Sequence, residues 1–297
     1  MKIHQVSHYA TGLFLVVGLL SCSMSVAAEA VLNFGVYSSD KPTTMIKKFR
    51  PVLDAIESSV EKSLGMPVTI RMQVAKTYEQ GVVDLVSGKV DFARFGPASY
   101  IQAKLMEPNI GIIAMESKQG KKVFQGFICI SKDSKIRKIS DLNGKRFAFG
   151  NVRSTIGRYL SQLYLVEHGI RASNLKYYEY LGRHDKVGNA VAVGKFDAGA
   201  LKEGTFHKLV KSGKRLKILA HFPNVTKPWV TRSGLSKSYQ HVIRKALLEM
   251  DDEVAFKTFK KDGFVPGDDS DFTRIREAIT RSKEFFKPTT LTTQSDQ

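Results

Sequence analysis

The sequence predicts an α/β fold of two similar lobes, with mainly parallel sheets facing each other across a cleft. Three observations predict it. Strand-like and helix-like segments alternate from residue 31 onward, and repeated strand–helix–strand units stack as α/β layers. The chain has 297 residues, 42% hydrophobic and 25% charged, which suits one large domain or two of roughly 100–150 residues. One phrase also occurs twice. "SGKVDFARFGPASY" (Ser87–Tyr100) is echoed about a hundred residues later by "VGKFDAGALKEGTF" (Val193–Phe206). Each copy ends a helix, enters a strand, and leaves into a loop that starts the next helix. Ligands of open α/β sheets collect at such carboxyl ends.

The first thirty residues stand apart from this pattern. Lys2 precedes an apolar run, Leu13–Leu20, too short to span a bilayer and laid out like an export signal. Two cleavage readings stand side by side. "LLSC" (Leu19–Cys22) looks like a lipobox, which would remove residues 1–21 and lipidate Cys22. "SVAAEA" offers small residues for ordinary cleavage after Ala28 or Ala30. The other cysteine, Cys129, lies in the apolar run "FQGFICIS" and reads as a buried structural thiol. Two cysteines, one of them in the leader, leave no disulfide framework.

The mature chain then runs in order. Val31–Tyr37 is a strand. Residues 43–65 form a helix with Phe49, Val52, Leu53, Ile56, Val60 and Leu64 at helical spacing, Thr43 or Thr44 as cap and Gly65 as stop. Pro51 either kinks it or marks its first turn. "MPVTIRMQVA" is a strand, "YEQGVVDLVSG" a short helix, "VDFARF" a strand. A helix starts after Gly96-Pro97, and "GIIAME" is a strand. The turn "SKQGKK" leads into "VFQGFICIS", and "DLNGKRFAFG" is a turn and strand. "STIGRYLSQLYLVEHG" reads as a regular helix capped by Ser154, apolar along Ile156, Leu160, Leu163 and Tyr164, and ended by Gly169. "LKYYEYLG", "FDAGAL" and "RLKILAHFP" are strands, with the helix "HDKVGNAVAVG" among them. "SKSYQHVIRKALLEM" and "DEVAFKTFKKDG" are helices, and the last ten residues are polar.

Charge narrows the function classes. Lys and Arg number 46 against 28 acids, a formal charge of +18, which favours anionic partners. The basic residues are spread out, with no long run and no aromatic-interleaved array, so nucleic acid is not expected. H-E-x-x-H, C-x-x-C, G-x-S-x-G and a Walker loop are all absent, and the seven histidines are scattered. Neither catalysis nor a metal or other cofactor is expected.

Five stretches occur in order across most of the mature chain: "GKVDFARFGPASY", "DLNGKRFAFGNVRSTIG", "GRHDKVGNAVAVGKFDAGAL", "PNVTKPWVTR" and "GFVPGDDSDFTRIREAI". Together they resemble the periplasmic phosphate/phosphite/phosphonate-binding proteins of ABC importers. The resemblance implies a type II periplasmic binding fold whose lobes close on a small phosphorus oxyanion by a hinge motion. It implies lobe 1 from residues 29–121 plus 224–297 and lobe 2 from 122–223. The crossings would lie near Lys121–Gln125 and Ala220–Asn224.

The same resemblance carries over a set of ligand residues. The anion loop is Ser154, Thr155, Ile156 and Gly157, where hydroxyls and free N–H groups at a helix start suit an anion on their own chemistry. Ile156 stands where the family has a second serine. His184 matches the oxyanion-reaching histidine. Phe95, Ser99 and Tyr100 come from the opposite loop, and Tyr37 with Ser38 from the first. Lys202 and Lys227 stand where aminoalkyl-reading members have carboxylates available, which favours a bare anion, although Glu203 beside Lys202 is a candidate amine reader. The expected partner is an ABC permease; the alternatives are a membrane sensor kinase as partner, or binding of another small anion by the same fold. A periplasmic monomer is expected, touching the membrane only through a lipid on Cys22.

Overall fold

A computed structural model describes Met1, residues 29–38 and residues 41–288. The leader and Cys22 lie outside the described residues. No described helix is long and apolar enough to cross a membrane.

Two sheets organise the chain. The first is assembled from β1 (Ala30–Tyr37), β2 (Val68–Ala75), β3 (Phe92–Arg94), β4 (Gly111–Ser117), β10 (Pro228–Thr231) and β11 (Gly263–Val265), in the order β11-β4-β10-β3-β1-β2. The second holds β5 (Val123–Ser131), β6 (Arg146–Phe149), β7 (Tyr177–Tyr180), β8 (Ala198–Lys202) and β9 (Leu216–Val225), in the order β7-β6-β8-β5-β9. The pairing is mixed rather than mainly parallel. β1 pairs in parallel with β2 and β3, and β6 with β7 and β8, whereas β5, β10 and β11 pair antiparallel. The reason is topological: strands that carry the chain between sheets must return against their neighbours. The chain leaves the first sheet between Ser117 and Val123 and re-enters it between Val225 and Pro228. The return lies after Ala220–Asn224, because β9 runs on to Val225 beside β5.

Helices cover the sheets. α1 (Pro42–Leu64) buries Phe49, Val52, Leu53, Ile56 and Val60 on the first sheet. Pro42 opens it after an extended Lys41, so neither Thr43 nor Thr44 is the cap, and Pro51 lies inside it. α2 (Tyr78–Val86) and α3 (Pro97–Met106) flank β3. α4 (Ser161–Glu167), α5 (His184–Ala192) and α6 (Glu203–Lys211) belong to the second sheet's layers. α7 (Lys237–Leu248) and α8 (Glu253–Phe259) return to α1. Two short strands, β10 and β11, and α9 (Thr273–Arg281) are not evident in the sequence pattern. After α9 a 3₁₀ turn, Ser282–Phe286, sets Phe285 5.4 Å from the Phe149 ring. The C-terminal segment therefore lies partly on the second sheet's aromatic residues, not wholly with the first. Cys129 is buried in β5, and burial pushes its thiol up to about 12, as befits a packing residue.

The repeated phrase proves to be one joint built twice. Gly88 and Gly194 adopt left-handed backbone (φ 78° and 72°) where each helix stops, a conformation glycine takes at no steric cost. The aspartate that follows pins the neighbouring parallel strand. Asp91 accepts the Asn33 N–H at 2.8 Å and the Arg232 Nε–H at 2.9 Å. Asp197 accepts the Arg146 N–H at 2.8 Å and its Nε–H at 3.1 Å. Arg146 holds the Asp197 carboxyl below its ordinary value. Each strand then ends at the cleft and starts α3 or α6.

Candidate functional site

The loops at those strand ends enclose a cavity between the sheets. One wall holds Ser154, Thr155, Ile156 and His184; the other holds Tyr37, Tyr78, Arg94, Gly96 and Pro97. Phe124, Lys202, Asn224 and Lys227 line the rest, near the two chain crossings. Several helix starts converge here: Pro97 opens α3, His184 opens α5, and Lys202 directly precedes α6. Such starts carry the positive end of the helix dipole, so the cavity favours an anion.

Ser154 begins a helix, though not a regular one. Thr155–Leu160 form a π-helical turn that α4 continues. Single π turns of this kind are often found at functional sites. Ser154 is the cap, its Oγ accepting the Gly157 N–H at 3.0 Å. Thr155 Oγ1 accepts the Ala98 N–H, at the start of α3, at 2.9 Å, which ties the two walls together. Arg153 and Glu79 form a second tie at 3.0 Å. A hydroxyl that accepts a backbone N–H keeps its own proton to donate. Both Ser154 and Thr155 are therefore acceptors toward the protein with a proton left to donate.

Gly157 shapes this loop without lining the cavity. Its N–H is used by Ser154 and its carbonyl accepts the Gly150 N–H at 2.8 Å. A Cβ at Gly157 would meet the Gly150 Cα at 2.8 Å, backbone that cannot swing aside. Gly157→Ala is expected to cost about 1–3 kcal/mol of stability and to displace the Ser154–Thr155 donors. Thermal unfolding and calorimetric titration check this, and a variant as stable as the parent would contradict it.

The opposite loop divides its labour. Tyr37 lines the cavity, and its hydroxyl accepts the Gly96 N–H at 2.6 Å and pairs with Ser99 Oγ at 2.9 Å. Ser99 thus orients Tyr37 from behind. Phe95 is fully buried, 5.8 Å from the Tyr37 ring. Tyr100 turns away, donating to Asp269 Oδ1 at 2.7 Å with its ring 4.6 Å from Phe272. Phe95, Ser99 and Tyr100 therefore do not line the cavity: Phe95 is packed in the core just before α3, and Ser99 and Tyr100 are buried on that helix. Ser38 does not line it either. Glu203 is likewise occupied elsewhere, accepting the Gln125 N–H at 3.0 Å with Lys118 at 3.5 Å.

A buried charge cluster, absent from the sequence-based candidates apart from Lys227, adjoins the cavity. Arg94 Nε lies 2.5 Å from Glu116 Oε1, with both side chains almost wholly buried. Lys261 Nζ stands 3.6 Å from the other Glu116 oxygen. Lys227 Nζ lies 4.3 Å from the centre of the Phe124 ring. Lys48 Nζ lies 4.9 Å from that of Phe259. Burial opposes ionisation of Glu116, yet Arg94, Lys227, Lys261 and Lys48 together hold its carboxyl well below the usual range. Burial, then the charge of Arg94, brings the Lys48 ammonium down to about 7 and lowers Lys227 as well. The available signal in the sequence was a charged residue inside an otherwise apolar strand: Arg94 in "VDFARF", Glu116 in "GIIAMES". Asn224, whose buried Oδ1 has no hydrogen-bond partner among the described residues, gave no such signal.

A sequence model of the family described as "ABC transporter, phosphonate, periplasmic substrate-binding protein" matches residues 34–272. The chain is 26% identical over 230 residues to a probable ABC transporter phosphite-binding protein, PhnD1, of Prochlorococcus marinus, covering 73% of this chain and 75% of that protein. It is 28% identical over 239 residues to a phosphonates-binding periplasmic protein of Escherichia coli, covering 77% and 68%. Among solved structures, PhnD1 of P. marinus with methylphosphonate superposes with a TM-score of 0.75 at 22% identity, covering 86% of this chain and 98% of that one. A binding component of a phosphonate transporter from Pseudomonas aeruginosa gives 0.73 at 18% identity, covering 87% and 88%.

Proposed function

Because the chain belongs to the family of periplasmic phosphonate-binding proteins of ABC transporters, we propose that its cavity captures phosphate, phosphite or a small unsubstituted phosphonate for import. The family is one of binding proteins rather than enzymes, and its transporter role lends nothing to the sensor-kinase alternative. The observation that carries the reading is the Ser154–Thr155 pair. Each hydroxyl lines the cavity at a helix start, accepts a backbone N–H and keeps its own proton to donate. Ile156 lines the cavity with a hydrocarbon side chain, which fits a ligand with a bare or methyl-bearing phosphorus. Lys227 on the wall opposes a substrate ammonium, and Glu203 is engaged outside the cavity.

In this reading lobe 1 is residues 29–121 plus 224–272, lobe 2 is 122–223, and residues 273–286 lie across both. The sheets, and the two crossings between them, support that division. The lobes hinge at the crossings and close on the anion. A monomer, anchored through Cys22 or free, would hand the ligand to a permease.

Four hydrogen bonds to a charged group, at roughly 1.5–3 kcal/mol each, together supply about 6–12 kcal/mol, a range that brackets the 8 kcal/mol or so of micromolar binding. The test is thermal unfolding of the mature protein with phosphate, phosphite, methylphosphonate, 2-aminoethylphosphonate and sulfate. A ligand at a hundred times its Kd adds about 2.7 kcal/mol, or about 5–10 °C for a chain of this size. At least one of the first three should produce it, and sulfate should not. No shift with any phosphorus anion would end the reading.

A further inference from the structure

The charge around Glu116 is unbalanced, and the imbalance lies against the cavity. Arg94, Lys261, Lys227 and Lys48 surround that one carboxylate. Glu116 is already engaged: Arg94 holds one oxygen at 2.5 Å and Lys261 approaches the other at 3.6 Å. Lys227 is left with the face of Phe124, and among the described residues no carboxylate lies within ion-pairing distance of its ammonium. A buried ammonium with no ion-paired carboxylate is costly and tends to give up its proton unless an anion is brought to it. Phe124 and Lys227 stand at the two chain crossings, while Ser154 and Thr155 belong to the helix start on the second sheet's side. All four line one cavity. The cavity thus offers two kinds of anion contact: neutral hydroxyl donors at Ser154 and Thr155, and the cationic side chains Lys227, Lys202 and Arg94, of which Lys227 stands at a chain crossing.

We propose that the preferred ligand carries two acidic groups, a phosphonate held at Ser154–Thr155 and a carboxylate held by Lys227. This rests on the oxyanion reading above and departs from it in one respect: the phosphonate carries a carboxylate in place of a bare or methyl group. The second group supplies the negative charge that Glu116 alone does not, and its desolvation is offset because Lys227 is already stripped of water. The lowered ammonium pKa of Lys227, caused by burial and then by Arg94, is the mark of that strain.

Calorimetric titration of the full mature chain with phosphonoacetate, methylphosphonate and 2-aminoethylphosphonate tests the proposal. Phosphonoacetate should bind about 10- to 100-fold more tightly than methylphosphonate, the effect of one added charge-assisted hydrogen bond. Lys227→Met should collapse that ratio toward one, whatever it does to methylphosphonate itself. Lys227→Gln, which keeps a polar tip without charge, should also remove most of it and serves if the Met variant does not fold. A parent protein that binds methylphosphonate as tightly as phosphonoacetate overturns the proposal and leaves the oxyanion reading intact. A ratio that survives both substitutions overturns it too, because Lys227 would then serve the phosphonate itself. If phosphate, phosphite and all three phosphonates fail to bind, both readings fall together.

Discussion

Replacing Ser154 and Thr155 together by alanine is expected to remove nearly all of the thermal shift that a phosphorus oxyanion produces. Each hydroxyl accepts one backbone N–H, from Gly157 and from Ala98, and keeps its own proton for the ligand. Hydrogen bonds to a charged group are worth roughly 1.5–3 kcal/mol each, so losing two lowers affinity by a factor on the order of 10²–10⁴. The variant also loses a helix cap, which by itself costs about 1 kcal/mol. It leaves the Ala98 N–H without its side-chain partner. The measurement must therefore be the shift on ligand addition, taken against the variant's own unliganded midpoint. A micromolar ligand that still shifts the double variant by the parental amount would place the anion elsewhere in the cavity.

The second large effect belongs to Glu116. Substitution by alanine leaves Arg94, Lys261, Lys227 and Lys48 with no carboxylate among them. Breaking a buried ion pair by removing one partner costs about 3–5 kcal/mol, and the midpoint should fall by about 6–20 °C for a chain of this length. Arg94→Met combined with Glu116→Leu should cost less than Glu116→Ala alone, because no charge is then stranded opposite the other. The acid limb is a further readout. Cationic neighbours, acting against burial, depress the folded-state carboxyl below its ordinary 4.5, so the folded protein binds fewer protons than the unfolded chain. The stability this supplies is complete above about pH 4.5 and is lost as pH falls further. Glu116→Gln lacks that contribution and should show a shallower decline in acid. A Gln variant with the parent's midpoint and acid profile would show that the cluster is already neutralised in another way.

Much of the fold was legible because its signals are local. Helical spacing placed Phe49, Val52, Leu53, Ile56 and Val60 on one buried face of α1, and short-range polarity put Ser154 at a cap. Departures came where a neighbour distant in sequence decides the outcome. The family resemblance implies Tyr100 as a ligand residue, but α3 turns it toward Asp269 and Phe272, some 170 residues on. The π turn at Thr155–Leu160 interrupts a segment whose spacing reads as a regular helix. The loop before it packs against Gly150, so that the Gly157 carbonyl turns to the Gly150 N–H.

By itself the sequence determined the alternation of strands and helices, the doubled Gly-Lys-x-Asp joint and the hydroxyl pair at a helix start. Each depends on residues within about a turn of one another, where steric and hydrogen-bonding preferences act directly. Only the tertiary structure decided which side chains meet in the cavity. β10 enters the first sheet between β3 and β4, and that insertion brings Lys227 near Arg94 and Glu116 across more than a hundred residues of chain. Coulomb interactions and desolvation follow distance in space and depth from water, and neither quantity is written in the order of the residues.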